Sequence, residues 1–465
     1  MHKTLTKNYG FVVAKNEEVA RKKAIEKFPE LANKKFQLKQ DEDCLDTWFS
    51  SWLWPISVFD GINNPDNEEI NYYYPTNDLV TAPEIIFFWV ARMIMSGYEY
   101  KSKECFKNVY FTGIVRDKQG RKMSKQLGNS PDPIELMNKY GADGVRMGML
   151  LSSPAGNDLP FDEALCEQGR NFNNKIWNSL RLVKNWEIDE KLNAPNENII
   201  AIEWFKNILE KTKVEVEELL TKYKLSEALM LIYKLFWDEF SAWYLEIIKP
   251  EFGKPIDKGT YNQTIIFFEE LLKQLHPFMP FITEELYHNL SDRDESIMFA
   301  QITINENYNN ILIKEFEVGK EIITNIRNIR ASKNISPKEK LNLQILTNSG
   351  THNTNNDDVI KKLANIENIE YVNEKTDGVV SFLVGTTEFA IPLGNLINKE
   401  EEIVKIQTEI KYLEGFLKSV TAKLSNEKFV NNAAAQIVEN ERKKQSDTEE
   451  KIKTLTESIE KLKFS

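Results

Sequence analysis

The spacing of apolar residues predicts a mixed α/β part at the start of the chain. In residues 9–28 it predicts a short strand followed by an amphipathic helix, whose apolar positions recur at helical spacing. The segment "NVYFTGIV" (108–115) is β-branched and aromatic, which predicts a buried strand. Strands that alternate with helices around a glycine-containing loop indicate α/β organisation.

Two helix starts in this part carry capping-box signatures. In "TAPE" we expect Thr81 to be the N-cap, with Glu84 three residues later. In "DPIE" (132–135), Pro133 occupies the first helical position. That helix should end near Gly141, and "ADGVRMGMLLSS" predicts the next one.

From about residue 163 to residue 333 the pattern is helical, with Trp and Phe recurring at three- and four-residue steps, which predicts an antiparallel bundle. The segment 231–250 predicts a helix stopped by Pro250. The segment 271–290 predicts one helix kinked by Pro277 and Pro280. Residues 341–394 resemble a small α/β piece, with strands "LNLQIL", "VVSFLV" and "TEFAIPL" and a helix around "DVIKKLAN".

The tail has the clearest periodicity. Its first helix carries apolar residues in 3-4 steps, which form a heptad seam: Ile403, Ile406, Ile410, Leu413, Leu417, Val420 and Leu424. A second helix repeats the pattern at Ile452, Leu455, Ile459 and Leu462. Two such helices joined by a short polar connection predict an antiparallel coiled-coil hairpin. The pattern alone is equally compatible with an oligomerisation element or a spacer.

Composition narrows the class of protein. The chain has 465 residues, 41% of them apolar, which predicts several globular domains. A net charge of −11 argues against a nonspecific nucleic-acid coat. The three cysteines are far apart and form no metal-binding spacing, so we expect reduced thiols, no structural metal and a cytoplasmic location. The most apolar window, "IIFFWVARMIMSG", is too short to span a membrane.

One polar loop stands out, "GRKMSKQLGNSPDP", Gly120 to Pro133. It presents Lys122 and Lys125 on either side of Met-Ser, and two ammonium groups on a bendable loop can hold a polyphosphate. The spacing excludes a Walker A loop. No histidine follows residue 2 in the α/β part, so a catalytic triad is excluded there. On chemistry alone, a solvated basic turn is the more common explanation.

The motifs around this loop resemble a known family. "KMSKQLGN" is similar to the KMSKS signature of class I aminoacyl-tRNA synthetases, with Gln126 replacing the last Ser. Four more motifs resemble the valyl-tRNA synthetase family in the order which that family shows: "LDTWFSSWLWP" (45–55), "IIFFWVARMIM" (85–95), "YGADGVR" (140–146) and "NFNNKIW" (171–177). The resemblance covers nearly the whole chain. Isoleucyl enzymes are less similar, because they often end in a cysteine zinc module.

The resemblance implies a reaction and its ATP site. In this family the carboxylate of valine attacks the α-phosphate of ATP, which carries Mg²⁺, and the valyl group then moves to tRNA(Val). Lys122, Ser124 and Lys125 would be the catalytic residues. Met123 and Gly113 would complete the ATP-binding set.

The resemblance also implies a valine pocket formed by Trp48, Ile85 and Trp89, with Glu84 beside it. Ile85 and Trp89 are four residues apart and should share a helix face. Without the resemblance, such apolar positions would be assigned to a core. Glu84 stands where the family usually has Asp, so two roles are open: binding the valine ammonium group, or only closing the capping box.

For tRNA, the resemblance implies contacts from the bundle and from the tail. In "RNFNNKIW" the candidates are Arg170, Asn174 and Lys175, polar neighbours of the expected core positions Phe172, Ile176 and Trp177. Helix capping and packing are an equally good explanation of these polar residues. In the tail the basic cluster Arg442, Lys443 and Lys444 is the candidate for the tRNA elbow.

The expected fold is therefore a multidomain α/β plus α chain. Residues 1–155 would be the C-terminal part of a Rossmann-type catalytic domain, and 156–335 an antiparallel helical bundle that binds the anticodon region. Residues 336–394 would be a small α/β connecting region, and 395–465 an antiparallel coiled-coil hairpin that binds tRNA.

The sequence has neither the HxGH motif of class I synthetases nor their large editing insertion. We therefore expect a monomeric C-terminal portion that binds tRNA and needs an N-terminal half to activate valine. A non-catalytic tRNA-binding protein of the same ancestry is the alternative. A coiled-coil scaffold is disfavoured, because the heptad seam occupies only the end of the chain.

Overall fold

The structure, a computed structural model, describes residues 10–124, 126–152, 158–347, 353–376, 378–393, 399–425 and 435–464. The chain divides into two compact units, Met1–Thr112 and Gly113–Ser465. Most described residues are helical, and the sheets are small. None of the described helices combines the length and the apolar character that crossing a membrane requires.

The first unit is built around two parallel strands joined through a helix. Its helices are α1 (Glu17–Lys27), α2 (Thr47–Ser51), α3 (Trp54–Ser57), α4 (Glu68–Tyr73) and α5 (Ala91–Lys101), and its strands are β1 (Thr76–Thr81) and β2 (Phe106–Phe111). Strands β1 and β2 pair in parallel, with Leu79 opposite Val109. A small core that includes Ile70, Leu79 and Met93 lies between the sheet and the helices.

Three local predictions in this unit are wrong. No strand forms in residues 10–16, where Lys23 and Lys27 instead donate to the backbone oxygens of Val13 and Phe11. Thr81 is the last residue of β1, and the N-cap of the turn that follows is Ala82 instead. The predicted buried strand at 108–115 begins at Phe106, ends at Phe111 and is only half-buried.

The helical segment after β1 begins irregularly. A 3₁₀ turn, Pro83–Ile85, leads into a π-helical turn, Ile86–Val90, and only then into α5. The N-cap of the 3₁₀ turn is Ala82, which offers no side-chain oxygen to the free backbone N–H groups. A π turn places one extra residue in the helix, and such turns are frequent at functional sites.

The second unit begins with a pair of short parallel strands, β3 (Val115–Arg116) and β4 (Leu159–Pro160). Between them lie α6 (Pro133–Tyr140) and α7 (Ala142–Leu151), followed after β4 by α8 (Glu163–Lys184). The capping expected at 132–135 is confirmed, because Asp132 accepts a hydrogen bond from the Ile134 N–H at 2.7 Å. The helix ends at Gly141 as expected, where φ is +77°.

Helices α7 and α8 approach so closely that only glycine fits at their crossing. A Cβ added at Gly148 would lie 2.7 Å from the backbone nitrogen of Cys166, and one at Gly169 would lie 2.6 Å from the Gly144 oxygen. Both obstacles are backbone atoms that cannot rotate away. Small residues at a helix crossing therefore fix how α8 enters the bundle.

The bundle contains the largest core. Its helices after α8 are α9 (Asn196–Thr221), α10 (Leu225–Lys234), α11 (Leu245–Ile248), α12 (Lys258–Leu275), α13 (Pro280–Leu290) and α14 (Asn310–Ser332). Two-residue strands β5 (Ile188–Asp189) and β6 (Ile256–Asp257) pair at one end. Buried aromatic rings that contact one another at its centre are Phe172, Phe205, Phe236, Phe240, Tyr244 and Phe268.

Two bundle predictions need refinement. The helix predicted at 231–250 is continuous from α10 to α11, with a π-helical stretch, Leu235–Tyr244, in its middle. The single kinked helix predicted at 271–290 is wrong, because α12 ends at Leu275 and α13 begins at Pro280. The two prolines separate the helices because Pro lacks the N–H that a helix interior requires.

The "YGADGVR" motif holds this break between α12 and α13 in place. Asp143 is buried and accepts hydrogen bonds from the Ile282 N–H at 2.7 Å and the Phe281 N–H at 3.3 Å, at the start of α13. Arg146 donates to the Phe278 oxygen at 3.0 Å and the Pro277 oxygen at 3.1 Å. Burial raises the pKa of Asp143 above its ordinary value, despite these hydrogen bonds. The motif is therefore a structural link between α7 and the bundle.

The small α/β piece contains one more strand than predicted. Strands β7 (Leu341–Leu346), β8 (Ile366–Val372), β9 (Val379–Val384) and β10 (Thr387–Pro392) form a sheet in the order β8-β7-β10-β9, with α15 (Asp357–Ala364) leading into β8. The missed strand, β8, is an edge strand that carries three Glu or Asn side chains on its exposed positions. Buried Arg330 of α14 donates to the backbone oxygens of Ser336, Ala364 and Asn365, which joins this piece to the bundle.

The tail contains two helices that contact each other, α16 (Lys399–Leu424) and α17 (Ala435–Phe464). Val420 and Val438 are buried between them. Ile410, Leu413, Leu417, Leu424 and Ile452 are half-buried. The side chains of the remaining heptad positions, Ile403, Ile406, Leu455, Ile459 and Leu462, lie outside the described residues.

Candidate functional site

The lysine loop folds back on the strand that precedes it. Strand β3 is followed by a tight turn, in which the Gly120 N–H donates to the Asp117 oxygen at 2.9 Å, and Lys122 then bridges back to Arg116. Gly120 and Gly128, on either side of the motif, have φ values of +76° and +62°. Such values favour glycine because it has no Cβ. The glycines therefore allow the sharp turns that present Lys122, which is exposed.

Asp117 is the acceptor at the centre of the turn. One of its carboxylate oxygens accepts the N–H groups of Gln119 at 3.0 Å and Arg121 at 2.9 Å. The other accepts from Arg121 Nε at 2.8 Å and from Asn129 Nδ2 at 3.0 Å. The hydrogen bond from Asn129, followed by those from Arg121, holds the pKa of Asp117 far below its usual range. Its side chain is 13% exposed.

Asn129 holds the motif from the opposite side. Its Oδ1 accepts the Ser124 N–H at 2.9 Å, and its Nδ2 donates to the Lys122 oxygen at 3.3 Å. The Met123 N–H donates to the Val115 oxygen at 3.2 Å. The backbone of residues 122–124 is therefore hydrogen-bonded on both sides, although it lies in a loop.

The individual motif residues have different environments. The Met123 side chain packs against a buried cluster that includes Leu136 and Leu159, so it anchors the loop. The Ser124 hydroxyl accepts the Leu127 N–H at 3.2 Å, which leaves its O–H able to donate to an anion. Gly113 lies in the connection between β2 and β3. Lys125 lies outside the described residues.

Sequence reasoning missed Asp117 and Asn129 as members of this site. Two signals were present in the sequence. Asp at the start of "DKQG" is typical of a turn in which the side chain accepts backbone N–H groups two and four residues later. Asn129 directly follows Gly128, at the end of the loop. Their partners lie up to twelve residues away, and no local pattern indicates that Asn129 contacts Asp117.

The residues expected to form a valine pocket lie in the first unit. Trp89 Nε1 donates to the Ser51 oxygen at 3.1 Å, and its ring stacks on Trp54 at a centroid distance of 5.8 Å. Trp48 contacts Phe88, with the ring centroids 6.2 Å apart. The structure thus brings the "LDTWFSSWLWP" and "IIFFWVARMIM" segments together.

Two further pocket candidates flank this aromatic contact. Ile85 is half-buried at the junction of the 3₁₀ and π turns, and Glu84 is exposed in the 3₁₀ turn. The N-cap of this 3₁₀ turn is Ala82 and no side chain caps it, so the structure gives no support to the capping-box alternative for Glu84. The aromatic cluster belongs to the first unit and the lysine loop to the second.

Two of the three bundle candidates, Arg170 and Asn174, share a face of α8 with Trp177. Arg170, Asn174 and Trp177 follow one another at helical spacing, and Asn174 is exposed. Arg170 pairs with Glu167 at 3.3 Å. Lys175 is half-buried, with its Nζ 5.6 Å from the Trp237 ring centroid. Trp177, expected in the core, is 44% exposed, which corrects that prediction, whereas Phe172 and Ile176 are buried as expected.

The three basic residues of the tail cluster differ in their ion pairing. Arg442 and Lys443 are exposed on α17. Lys444 Nζ pairs with Glu441 Oε1 at 2.7 Å, and Lys423 of α16 lies 3.7 Å from the other oxygen of Glu441. Lys444 therefore belongs to an ion-pair network that links the two helices, which distinguishes it from its two neighbours.

Among the residues that the structure describes, no group of three or more His, Cys, Asp or Glu side chains is placed to hold a metal ion. Cys44, Cys105 and Cys166 carry free thiols.

Comparison with known families finds three matches along the chain. Residues 3–162 match the family described as tRNA synthetases class I (I, L, M and V). Residues 203–345 match the anticodon-binding domain of tRNA ligases, and residues 398–463 match the valyl tRNA synthetase tRNA binding arm.

Individual relatives agree with these matches. Valine–tRNA ligases of Phocaeicola vulgatus and Parabacteroides distasonis are 63% and 60% identical to the chain, over 98% and 97% of its length, and that of Fusobacterium nucleatum is 40% identical over 91%. The aligned parts are 52%, 51% and 49% of these relatives, so the chain spans about half the length of the proteins it matches. Among solved structures, a leucyl-tRNA synthetase complex from Agrobacterium radiobacter K84 is similar at 19% identity and a TM-score of 0.44. The alignment covers 61% of the chain and 35% of the chain of that structure.

The family matches to residues 3–162 and 203–345, in a chain with a KMSK loop, a helical bundle and a two-helix tail, place it among the class I aminoacyl-tRNA synthetases. Within that class, the arm at residues 398–463 and the high identity to valine–tRNA ligases settle the family. The chain belongs to the valine–tRNA ligase family.

Proposed function

We propose that the chain is the part of a valine–tRNA ligase that supplies the ATP-handling loop, the valine-pocket aromatics and the tRNA-binding surfaces. The observation that carries this proposal is the 63% identity to a valine–tRNA ligase over 98% of the chain. The complete reaction is the ATP-dependent activation of valine and its transfer to tRNA(Val). The alternative of a non-catalytic tRNA-binding protein is not favoured by relatives that are themselves named as ligases.

In this proposal each predicted domain has its own role. Residues 1–155 contribute the C-terminal part of the Rossmann-type catalytic domain, and 156–335 bind the anticodon region. Residues 336–394 connect these to the coiled-coil arm at 395–465, which binds tRNA. The free thiols support a cytoplasmic location.

In the ATP step, Lys122, Ser124 and Lys125 bind the phosphates, and Mg²⁺ enters with ATP as part of the substrate. The valine carboxylate is already an anion, so attack on the α-phosphate needs no general base. The demand is for positive charge near the phosphate oxygens, and an exposed Lys122 on a hydrogen-bonded backbone meets it. Met123 and Gly113 contribute backbone and shape to the same site.

In valine recognition, Trp48, Ile85 and Trp89 form the apolar wall, and the exposed carboxylate of Glu84 pairs with the ammonium group. An apolar pocket of this kind rejects a larger side chain by shape. It discriminates poorly against threonine, which is nearly isosteric with valine; valine–tRNA ligases are the known example of this weakness, with a discrimination of only about 10²-fold.

For tRNA, we assign Arg170, Asn174 and Lys175 on α8, and Arg442, Lys443 and Lys444 on α17. Arginine and lysine bind phosphate oxygens, and an exposed Trp177 beside Asn174 offers a ring on which an unstacked base could lie. The net charge of −11 means that tRNA must be attracted by these local surfaces, because the chain as a whole repels it.

The proposed partner is the remaining half of the ligase. Parallel sheets are normally buried on both faces, and β1 and β2 alone form a two-stranded sheet of marginal stability. The first unit also exposes several large apolar side chains, such as Phe87 at 82% and Tyr72 at 79%. These features favour a polypeptide that covers the unit and extends its sheet.

ATP–pyrophosphate exchange tests the proposal. The chain alone should show little valine-dependent exchange, and adding the complementary half of the Phocaeicola vulgatus relative should restore it. In the restored enzyme, Lys122→Ala should lower kcat by about 10²-fold, because one charged donor to the developing phosphate charge is lost.

Lys118→Ala is the matched control, because Lys118 carries the same charge in the same turn, lies outside the KMSK motif and pairs with Asp162 at 3.4 Å. Robust exchange by the chain alone would contradict the need for a partner. Equal effects of the two alanine variants would contradict the role of Lys122.

A further inference from the structure

The lysine loop is held by two side chains that carry no part of the phosphate-binding motif. Asp117 precedes the motif and Asn129 follows it, and they meet at 3.0 Å. This contact closes a ring of hydrogen bonds around residues 117–129. Within the ring, Asn129 contacts the backbone on both sides of Met123, and β3 contacts the same segment through Arg116 and Val115.

Among the described contacts of residues 122–124, those with Asn129 join Lys122 and Ser124 to the turn at Asp117. At the two flanking glycines, no atom lies within 4 Å of the position that a Cβ would occupy, so they do not restrain the loop by packing. The described restraints include the bridge from Lys122 to Arg116, the Met123 N–H bond to Val115, the packing of Met123 and the Asp117–Asn129 pair. Among these described contacts, those of Asn129 reach the backbone of both Lys122 and Ser124, and Asp117 in turn holds Asn129.

We propose that Asp117 and Asn129 are positioning residues, which hold the Lys122–Ser124 backbone in the conformation that presents Lys122 to a phosphate group. This inference rests on the proposed function for its consequence in catalysis, but the restraint itself is a property of the chain alone. Neither residue needs to touch ATP. They act through Lys122 and Ser124.

Amide hydrogen exchange on the full chain measures the restraint directly. Asn129→Asp keeps the oxygen that accepts from Ser124 but removes the donor to Asp117 and places two carboxylates together. Asp117→Asn keeps the oxygen that accepts from Gln119 and Arg121 but places two amide groups together. Each variant should raise exchange at the Met123 and Ser124 amides about tenfold or more, because a charge-assisted hydrogen bond is lost.

The double variant Asp117→Asn/Asn129→Asp is the rescue. It restores an amide-to-carboxylate hydrogen bond with the donor and acceptor exchanged, so it should return part of the protection at Ser124. Asp189→Asn is the matched control, because Asp189 accepts the Lys191 N–H at 2.8 Å in a comparable turn of the bundle. It should leave exchange in residues 117–129 unchanged.

The catalytic consequence is measured in the enzyme restored with the complementary half. Each single variant should lower kcat for ATP–pyrophosphate exchange while the KM for valine stays unchanged, and the double variant should recover part of kcat.

Several results would overturn the inference. Unchanged amide exchange in both single variants would show that the pair does not restrain the loop. If the double variant were no better protected than Asn129→Asp, the contact between the two residues would not be the cause of the restraint. Faster amide exchange with unchanged kcat would contradict positioning. If the unsubstituted chain shows no pyrophosphate exchange with its complement, the proposed function fails, and amide exchange still decides whether the pair restrains the loop.

Discussion

At the scale of single residues, environment separates side chains that the sequence presents as equivalent. Lys443 and Lys444 are neighbours in one basic cluster, but only Lys444 is paired with Glu441. Phe172 and Trp177 both suit a helical core, but Trp177 is substantially exposed. A residue type therefore identifies what a side chain can do, and its neighbours decide whether it is available.

The cysteines give a test at this scale. Burial raises the pKa of the Cys105 thiol to about 11, and Cys166 is also buried with a raised pKa. A raised pKa keeps the proton on sulfur, so at pH 8 only about one buried Cys105 thiol in a thousand would be thiolate. We expect a thiol reagent to modify Cys44, which is exposed, and to spare the other two.

The measurement is mass spectrometry of the labelled, folded chain at pH 8. Cys44→Ser should abolish the rapid modification, and all three thiols of the parent chain should react in denaturant. Rapid labelling of Cys105 in the folded chain would show that its surroundings open readily.

At the scale of elements, close packing and irregular turns set the geometry around the candidate site. The π turn at Ile86–Val90 places Trp89 against Ser51, and the glycines of α7 and α8 allow those helices to meet. Neither feature follows from apolar periodicity, because periodicity reports which face is buried and not how closely two elements approach.

Gly148→Ala tests the helix crossing. The added Cβ would meet Cys166 backbone atoms at 2.7 and 2.9 Å, so we expect a loss of about 1–3 kcal/mol in the free energy of unfolding. Urea denaturation followed by circular dichroism measures it. Gly415→Ala is the control, since Gly415 is in α16 with no atom within 4 Å, and it should stabilise the helix by about 0.5–1 kcal/mol. An unchanged free energy of unfolding in Gly148→Ala would mean that α7 and α8 can move apart without destabilising the protein.

The tail gives a second test at this scale. Arg442→Ala and Lys443→Ala should each weaken tRNA binding and reduce the slope of log affinity against log salt by about 1, as expected for one lost phosphate contact. Lys444→Ala should change the salt slope less, because its charge is already paired with Glu441. Filter binding at several salt concentrations measures all three. Equal slopes for the three variants would contradict the distinction between them.

At the scale of the whole molecule, the chain spans about half the length of its relatives, and its first unit exposes apolar side chains on helices and strands alike. Where exposed apolar side chains gather into a large patch, they mark an interaction surface. The second unit contains the bundle core and the sheet of β7 to β10, which supply most of the buried apolar side chains.

We therefore expect the dye ANS to bind the chain alone and to be displaced when the complementary half of the ligase is added. Phe87→Ser should lower ANS fluorescence before addition, because Phe87 is 82% exposed. Phe281→Ser, at a 65% exposed phenylalanine of the bundle, is the matched control and should leave the displacement intact. Undiminished fluorescence after addition would contradict a partner that covers the first unit.

The sequence by itself determined the family, the helical character of the bundle, three strands of the small sheet and the two helices of the tail. Local periodicity and motif spacing encode these features, since each depends on residues close together in the chain. The KMSK motif likewise indicated a phosphate loop without any knowledge of its partners.

Only the tertiary structure decided which side chains hold that loop. Asp117 and Asn129 are twelve residues apart, and the contacts of Asp143 and Arg146 with the α12–α13 turn span more than a hundred residues. The same holds for Thr81, whose pairing with Phe111 in the parallel sheet outweighs its local preference for a helix cap. Contacts between residues far apart in the chain leave no periodic pattern in the sequence. Which of these contacts form therefore depends on how the helices and strands pack.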